Sequence, residues 1–362
     1  MRTSDAGHAG REIIAYLKAA DSMAADQRMH LYGGGAVAEL EEKLRRHYHK
    51  KYALCVSNAT MGLLAVGLAA GLKGDDFITT PYTYGATVAG WLHLGNSPVF
   101  ADIEADTLAL DCESVKKAIS KNTRAVLAVD IHGTPHDMKG LRKIADEYGL
   151  LYVSDSAQSF GGSRDGLPAG SVADVFVVSF TAGKPLFAGE GAAILTDDPA
   201  LYEKLIWFTQ HPLRQRRDIG LRLDNEFALN ARLHPLAAVW ANAVFEGSLE
   251  RLKARQKRCF DIIKALNEIG LTENVDFASR GIVPTFFSLT AAWKSGKAQG
   301  DLLTRRLREY GFRMNVDHSP VRLLYRQPAF MGQYGSALGE NTRRCRQAER
   351  QSRCRFCLIE EE

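Results

Sequence analysis

The chain has 362 residues, 46% of them hydrophobic, enough for a large core and a smaller second lobe. Its 46 Lys and Arg against 42 Asp and Glu leave a net charge of +4, too small and too dispersed for a nucleic-acid binder, while an anionic small molecule stays within reach. No apolar stretch approaches the roughly 20 residues that cross a bilayer, and the opening "MRTSDAGHAGREII" has no apolar core behind a basic end. No membrane association is expected, and a cytoplasmic location is.

From about residue 50 to 196, short runs rich in Val, Ile and Phe alternate with helical patterns. "DFITTPY", "SPVFADI", "RAVLAVDIHG", "LLYVSDSA", "DVFVVSF" and "GAAILTDD" predict buried strands. Between them "ATMGLLAVGLAAGL", "GATVAGWLHL" and "MKGLRKIADEYG" predict helices, the last ending at a glycine stop. The alternation implies an α/β domain around a largely parallel sheet, in which ligands bind outside the carboxyl ends of strands. Next, "LHPLAAVWANAVFEGSLERLKARQKRCFDIIKALNEIG" predicts a long amphipathic helical region bridging two lobes. "IVPTFFSLTAAW" reads as a strand, "GDLLTRRLREYG" as a helix, and the Arg-rich tail to Glu362 is weakly patterned. The expected domains are residues 1–244, a large domain with an N-terminal segment, and 245–362, a smaller α+β lobe.

Six cysteines (Cys55, Cys112, Cys259, Cys345, Cys354 and Cys357) lack the density of a disulfide framework and fit a reducing compartment. "CRFC" has ligand-like spacing, but with Cys345 it supplies three of the four ligands a structural zinc site wants, so solvated thiols and no metal are expected.

The residues that follow the strands carry the chemistry. "CVSNATMG" turns from strand to helix with Ser57, Asn58 and Thr60 at the turn, which reads either as an ordinary N-cap or as an anion cradle at a helix N-terminus. "YVSDSAQS" ends a strand with Asp155, a cap or the partner of a buried cation, and Gln158 follows about one helical turn later. "VVSFTAGK" ends a strand with Ser179 and reaches Lys184 five residues on. A lone loop lysine is normally solvated, but Pro185, Leu186, Phe187 and Ala188 make this loop apolar. Desolvation lowers a lysine pKa and frees the amine for Schiff-base chemistry. A reactive amine, an anion cradle and a carboxylate together are the set that pyridoxal phosphate requires.

With those residues in view, the chain resembles the DegT/StrS-type aminotransferases, fold-type I pyridoxal-phosphate enzymes that aminate sugars and cyclitols. The likeness runs from "LYGGGAVAELEEKL" to "YRQPAF" and is densest at "SNATMGLLAVGLAAG", "TYGATVAGWLHLGNSPVFADIEADTLALD", "DIHGTPHDMKGLRKIADEYGLLYVSDSAQSFGG" and "SFTAGKPLFAGEGAAILTDD". It implies a large domain with a mixed, mostly parallel sheet and a smaller C-terminal α+β domain. It also implies that pyridoxal 5'-phosphate is held covalently by Lys184, which later moves the proton. Asp155 would pair with the pyridinium nitrogen, and Gln158 would approach the 3-oxygen. Ser179, Thr60 and the backbone around Ala59 would hold the phosphate. Tyr84 takes the place of the aromatic that stacks on the ring, or is a core aromatic. "FALNARLHP" matches a segment whose asparagine, here Asn230, reaches the partner's phosphate, implying a homodimer with shared active sites; Arg232 is read as structural.

The chain departs from the family pattern at Thr181, at Gly191 with Ala192, at "FTQHPLRQRR" and at "SNAT", which puts the acceptor in question more than the cofactor. The "AGK" spelling leans toward aminocyclitol enzymes. The end, "NTRRCRQAERQSRCRFCLIEEE", stops before the last helix the resemblance implies, and looser substrate contacts are expected. The resemblance implies transamination from a glutamate or glutamine donor to a keto-sugar or keto-cyclitol. Arg214, Arg216, Arg217 and Arg313 are candidates for the donor carboxylate, and His318 lines the substrate pocket or sits on the surface. A second reading keeps Lys184 and changes the reaction to elimination, hydration or cyclisation. A third, a non-catalytic relative, would lack the lysine or the aspartate, and both are present.

Overall fold

Apolar runs bounded by turn residues become strands because a sheet covered on both faces satisfies their backbone while burying every side chain. In the computed structural model, which describes residues 29–220, 224–273, 275–295, 298–317, 321–335 and 345–360, the runs predicted as strands pair in one sheet. Its first members are β1 (Tyr52–Val56), β2 (Asp76–Thr79), β3 (Ser97–Phe100), β4 (Thr123–Val129) and β5 (Leu151–Asp155). A hairpin of β6 (Ser163–Arg164) and β7 (Leu167–Pro168) precedes β8 (Val175–Ser179) and β9 (Ala192–Thr196). The seven-stranded order is β1-β9-β8-β5-β4-β2-β3, and only β9 runs against the rest. The carboxyl ends of the other six therefore share one edge.

Helices cover both faces. The first cluster packs α2 (Ala59–Ala69), α3 (Ala86–His93) and α6 (Pro199–Thr209) on the sheet around Leu63, Val66, Trp91 and Val177. The opposite face receives α1 (Ala36–Tyr48), α4 (Cys112–Ala118), α5 (Met138–Tyr148) and the start of a 35-residue helix described below. The α2 segment is apolar all round, as a helix sandwiched between a sheet and another helix must be. Its approach to α3 requires Gly90, where a Cβ would lie 2.8 Å from the Leu64 Cα. The predicted stop of α5 is Gly149, left-handed at φ 65° and φ-compatible only with a residue free of a Cβ penalty.

Behind α1 sits α7 (Pro212–Ile219), joined to it by a buried ion pair. Arg214, 1% exposed, donates to both Glu41 oxygens at 3.0 and 2.8 Å and to Asp218 at 3.0 Å. Arg214 is thus a structural residue and not a receptor for a donor carboxylate. Arg216 is held by Asp224 and Arg217 by Asp218, which leaves Arg313, an exposed residue, as the remaining candidate. Arg214→Met would strand the Glu41 carboxylate in the interior and is expected to cost about 3–5 kcal/mol in urea unfolding. An apolar double replacement of Glu41 and Arg214 should recover most of that loss; no recovery would mean that the penalty is not the uncompensated charge.

The long helical pattern is one helix, α8 (Pro235–Ile269), started by His234, whose ring accepts from the Leu236 N–H, and stopped by left-handed Gly270. The expected lobe boundary at 244/245 falls inside it. A four-stranded antiparallel sheet, β10 (Thr272–Glu273), β12 (Leu289–Trp293), β14 (Arg355–Glu360) and β13 (Met314–Asp317), packs with the end of α8 and with α9 (Gly300–Glu309). The tail adds α10 (Pro328–Tyr334) and α11 (Arg346–Cys354). Leu323, Leu324 and Phe330 pack into the large-sheet core, although they lie between the small-lobe strands β13 and β14 in sequence.

Two sequence expectations change. "IVPTFFSLTAAW" is not one strand: β11 (Ile282–Val283) joins the β6–β7 hairpin, β12 joins the small sheet, and Phe286 turns between them at φ 50°. An apolar run does not reveal such a break, because both pieces are apolar and periodicity is read from residue type alone. Of the tail thiols expected to be solvated, Cys345 is 1% exposed in the large-sheet core, while Cys354 and Cys357 are half-buried and burial raises Cys357 to about 11. Among the described residues no three His, Cys, Asp or Glu side chains are grouped to hold a metal, and no helix is long and apolar enough to cross a membrane.

Candidate active site

The parallel register brings the predicted residues to one edge. Asp155 ends β5 opposite Val177 of β8, and two residues beyond Val177 comes Ser179, followed by the loop that carries Lys184. Gly183, at φ 81°, makes the turn immediately before the lysine, whose N–H donates to the Thr181 carbonyl at 3.1 Å. The Lys184 Nζ lies 4.3 Å from the centroid of the Phe287 ring. Burial lowers its pKa, and the negative charge of Asp155 partly restores it.

Asp155 is buried, 7% exposed. Its Oδ2 accepts from the Thr87 hydroxyl at 2.7 Å and its Oδ1 from the Ala157 N–H at 3.1 Å. Burial raises its pKa, against the opposing pull of Thr87, Ala157 and Lys184, and the like charge of Asp130 adds to the rise. Lys184 and Asp155 thus feel each other, and both resist ionisation because both are desolvated. A cation placed against Asp155 would reverse its preference, since an opposite charge within about 4–6 Å favours the carboxylate.

Behind Asp155 a polar cluster fixes the strand end. The Asp130 carboxylate accepts from Ser156 and Ser159 at 2.8 and 2.6 Å and lies 2.6 Å from the His136 Nδ1, whose Nε2 meets the Tyr152 hydroxyl. Burial works to raise Asp130, but His136 and the serine donor hold its pKa below the usual carboxylate value. Ser156 is the residue after Asp155, so this cluster anchors the backbone on which Asp155 stands.

The turn read as either a cap or a cradle is a helix cap. Asn58 caps α2 by accepting from the Met61 N–H at 2.9 Å, and the Ala59 and Thr60 N–H groups have no intrahelical acceptor in that first turn. Ser57 donates its N–H to the Ala231 carbonyl at 2.9 Å, and Val56 bridges to Arg232, tying the segment after Asn230 to the same edge. Asn230 itself is exposed, left-handed at φ 51°, and accepts from Arg232 at 2.5 Å. Ser179 is buried, with its hydroxyl donating to the Thr181 Oγ1 at 3.1 Å. Holding an anion would require it to exchange that partner. Gln158 accepts the His132 N–H at 2.7 Å through Oε1, leaving its NH₂ as the donating end. Tyr84 is 72% exposed in the turn before α3. His318 lies outside the described residues.

A family model described as the DegT/DnrJ/EryC1/StrS aminotransferase family matches residues 13–358. The chain belongs to this family. It is 33% identical over 240 residues to the UDP-2-acetamido-2-deoxy-3-oxo-D-glucuronate aminotransferase of Pseudomonas aeruginosa, a stretch covering 66% of this chain and 66% of that relative's length. The crystal structure of a DegT DnrJ EryC1 StrS aminotransferase from Brucella abortus shares the fold, with a TM-score of 0.81 at 23% identity over 99% of this chain and 93% of that one. So does NtdA of Bacillus subtilis, determined with bound cofactor PMP, with a TM-score of 0.75 at 21% identity over 96% and 77% of the two chains.

In this DegT/DnrJ/EryC1/StrS chain, sequence reasoning missed two residues of the site. Thr87, buried at 2% exposure and bonded to Asp155, reads in sequence as a threonine at the start of an apolar helix. Its spacing from Thr83, four residues back with the two hydroxyls 2.9 Å apart, was the available signal. Phe287 lay inside the run taken for one strand and carried none.

Proposed function

We propose that the chain is a pyridoxal-phosphate-dependent aminotransferase that moves an amino group from glutamate or glutamine to a keto-sugar or keto-cyclitol. The observation that carries this reading is that Asp155, at the end of β5, and Lys184, in the loop after the adjacent β8, act on each other's charge at the sheet edge where α2 begins. Pyridoxal phosphate, when bound, supplies an aldehyde for amines and a ring that draws electrons from the carbon bearing nitrogen. The residues fit it: an amine with a depressed pKa, a buried carboxylate with lone pairs to spare, and an anion-binding turn.

In this reading Lys184 would hold the group covalently, and its Nζ would carry a proton. Asp155 would hold a proton on the ring nitrogen, with Thr87 favouring the ionised carboxylate. The Ala59 and Thr60 N–H groups and Ser179 would bind the phosphate, Gln158 would donate to a ring oxygen, and Tyr84 would supply an aromatic surface for the ring. Asn230 completes the cradle of a second copy in a homodimer; exposed Phe227, Leu229 and Leu236 around it favour such an interface. A keto-sugar acceptor is in line with the printed activity of the Pseudomonas relative.

The test is direct. Purified protein incubated with pyridoxal phosphate should absorb in the visible, lose that band on borohydride treatment and gain the cofactor's mass at Lys184. Glutamate or glutamine with a keto-sugar should then yield the 2-oxo acid and an amino-sugar; release of ammonia or of a β-substituent in its place would sink the reading. Thr87→Val removes a hydrogen bond to a charged acceptor, and kcat should fall by about 10- to 100-fold, while Thr87→Ser stays within a few-fold of the parent.

A further inference from the structure

The cleft between the two lobes holds a buried cation with no counter-charge. Arg355, the first residue of β14, is 6% exposed. Its Nε donates to the Gln351 Oε1 at 2.9 Å, its Nη1 to the Thr290 hydroxyl at 3.1 Å and its Nη2 to the Ala105 carbonyl at 3.4 Å. All three acceptors are neutral, and among the described residues no carboxylate lies within ion-pair distance. The carboxylates whose charge reaches it, Asp106 and Glu273, are each held by another arginine: Asp106 by Arg280 at 2.9 Å and Glu273 by Arg350 at 3.2 Å. A guanidinium taken out of water without a counter-ion costs several kcal/mol, and proteins almost always pair such a charge.

A second group faces the same problem in the same place. His132, 8% exposed and left-handed at φ 57°, lines one small cavity with Arg355, and its Nε2 has no hydrogen-bond partner. Burial pushes the ring pKa down to about 3 and keeps it neutral, and in the tautomer with its proton on Nε2 the ring presents one N–H donor awaiting an acceptor. The hydroxyl residues Thr134, Ser288 and Thr290 line the cavity too, as does Asp106, already engaged by Arg280. The cavity measures about 10 Å³, the size that admits a single water-sized body and no polyatomic acid.

We propose that Arg355 and His132 frame a binding site for one monatomic anion, a halide, that holds the small lobe on the large one. The anion supplies the missing charge for the guanidinium and the missing acceptor for the imidazole. His132 and Thr134 come from the large-sheet side, Arg355 and Thr290 from the small sheet, so occupancy couples the lobes. The His132 N–H also holds Gln158, which puts the site one residue behind the active site without sharing a ligand with it. The inference is independent of the cofactor assignment.

The experiment uses the full chain as purified, dialysed into sodium gluconate and titrated with sodium chloride or bromide at constant ionic strength. The melting temperature should rise saturably, by about 5 °C at a hundredfold excess over Kd, and Arg355→Met should lose the halide-dependent rise. Should that variant not fold, crystals of the parent chain grown in bromide should give an anomalous peak between Arg355 and the His132 Nε2. Equal melting in chloride and gluconate, or a water and no bromide at that position, overturns the proposal.

Discussion

Lys184→Ala is expected to lower kcat by at least about 10⁴-fold, because in the proposed reading one side chain both anchors the cofactor and moves the proton. The fold should survive: the lysine is half-buried in a loop, its ring contact with Phe287 is the interaction lost, and far-UV circular dichroism should match the parent. Borohydride should then leave no cofactor mass on the chain. A trapped adduct on another lysine, with turnover retained, would move the whole assignment elsewhere.

Asp155→Ala should cost on the order of 10³-fold in kcat, since a ring nitrogen that loses its proton is a poorer electron acceptor. It carries a second, opposite-signed consequence. The Asp155 charge raises the Lys184 pKa, while burial lowers it below that of an ordinary lysine. Removing the carboxylate leaves burial alone, so the lysine pKa falls further and its neutral, reactive form extends to lower pH. The rate of aldehyde attachment, followed against pH, should therefore show its midpoint displaced downward in the variant even as turnover collapses. A midpoint displaced upward would mean that the two groups are not in electrostatic contact.

Much of the site was legible because its chemistry sits where short apolar runs end. Asp155, Ser179 and Lys184 each follow such a run, and a parallel sheet gathers the ends of its strands on one edge whatever the details of packing. The helix caps were legible for a similar reason: Asn58 and Gly149 act on backbone within a few residues of themselves. The misses share the opposite property. Glu41 finds Arg214 across 173 positions of chain. Thr87 finds Asp155 across 68. Phe287 reaches Lys184 because a left-handed residue broke a run that otherwise reads as one strand, and Arg214 in "HPLRQRR" read as one of four candidates for a donor carboxylate until α7 laid it on α1.

The sequence by itself determined the α/β alternation, the strands and their polar ends, the long helix and the family resemblance, since periodicity and turn chemistry are local and survive without a fold. Only the tertiary structure decided which arginines are spent on ion pairs, which threonine bonds to the Asp155 carboxylate, and that Arg355 is buried without an acid. Burial and long-range pairing set the cost of a charge, and neither exists until distant segments meet.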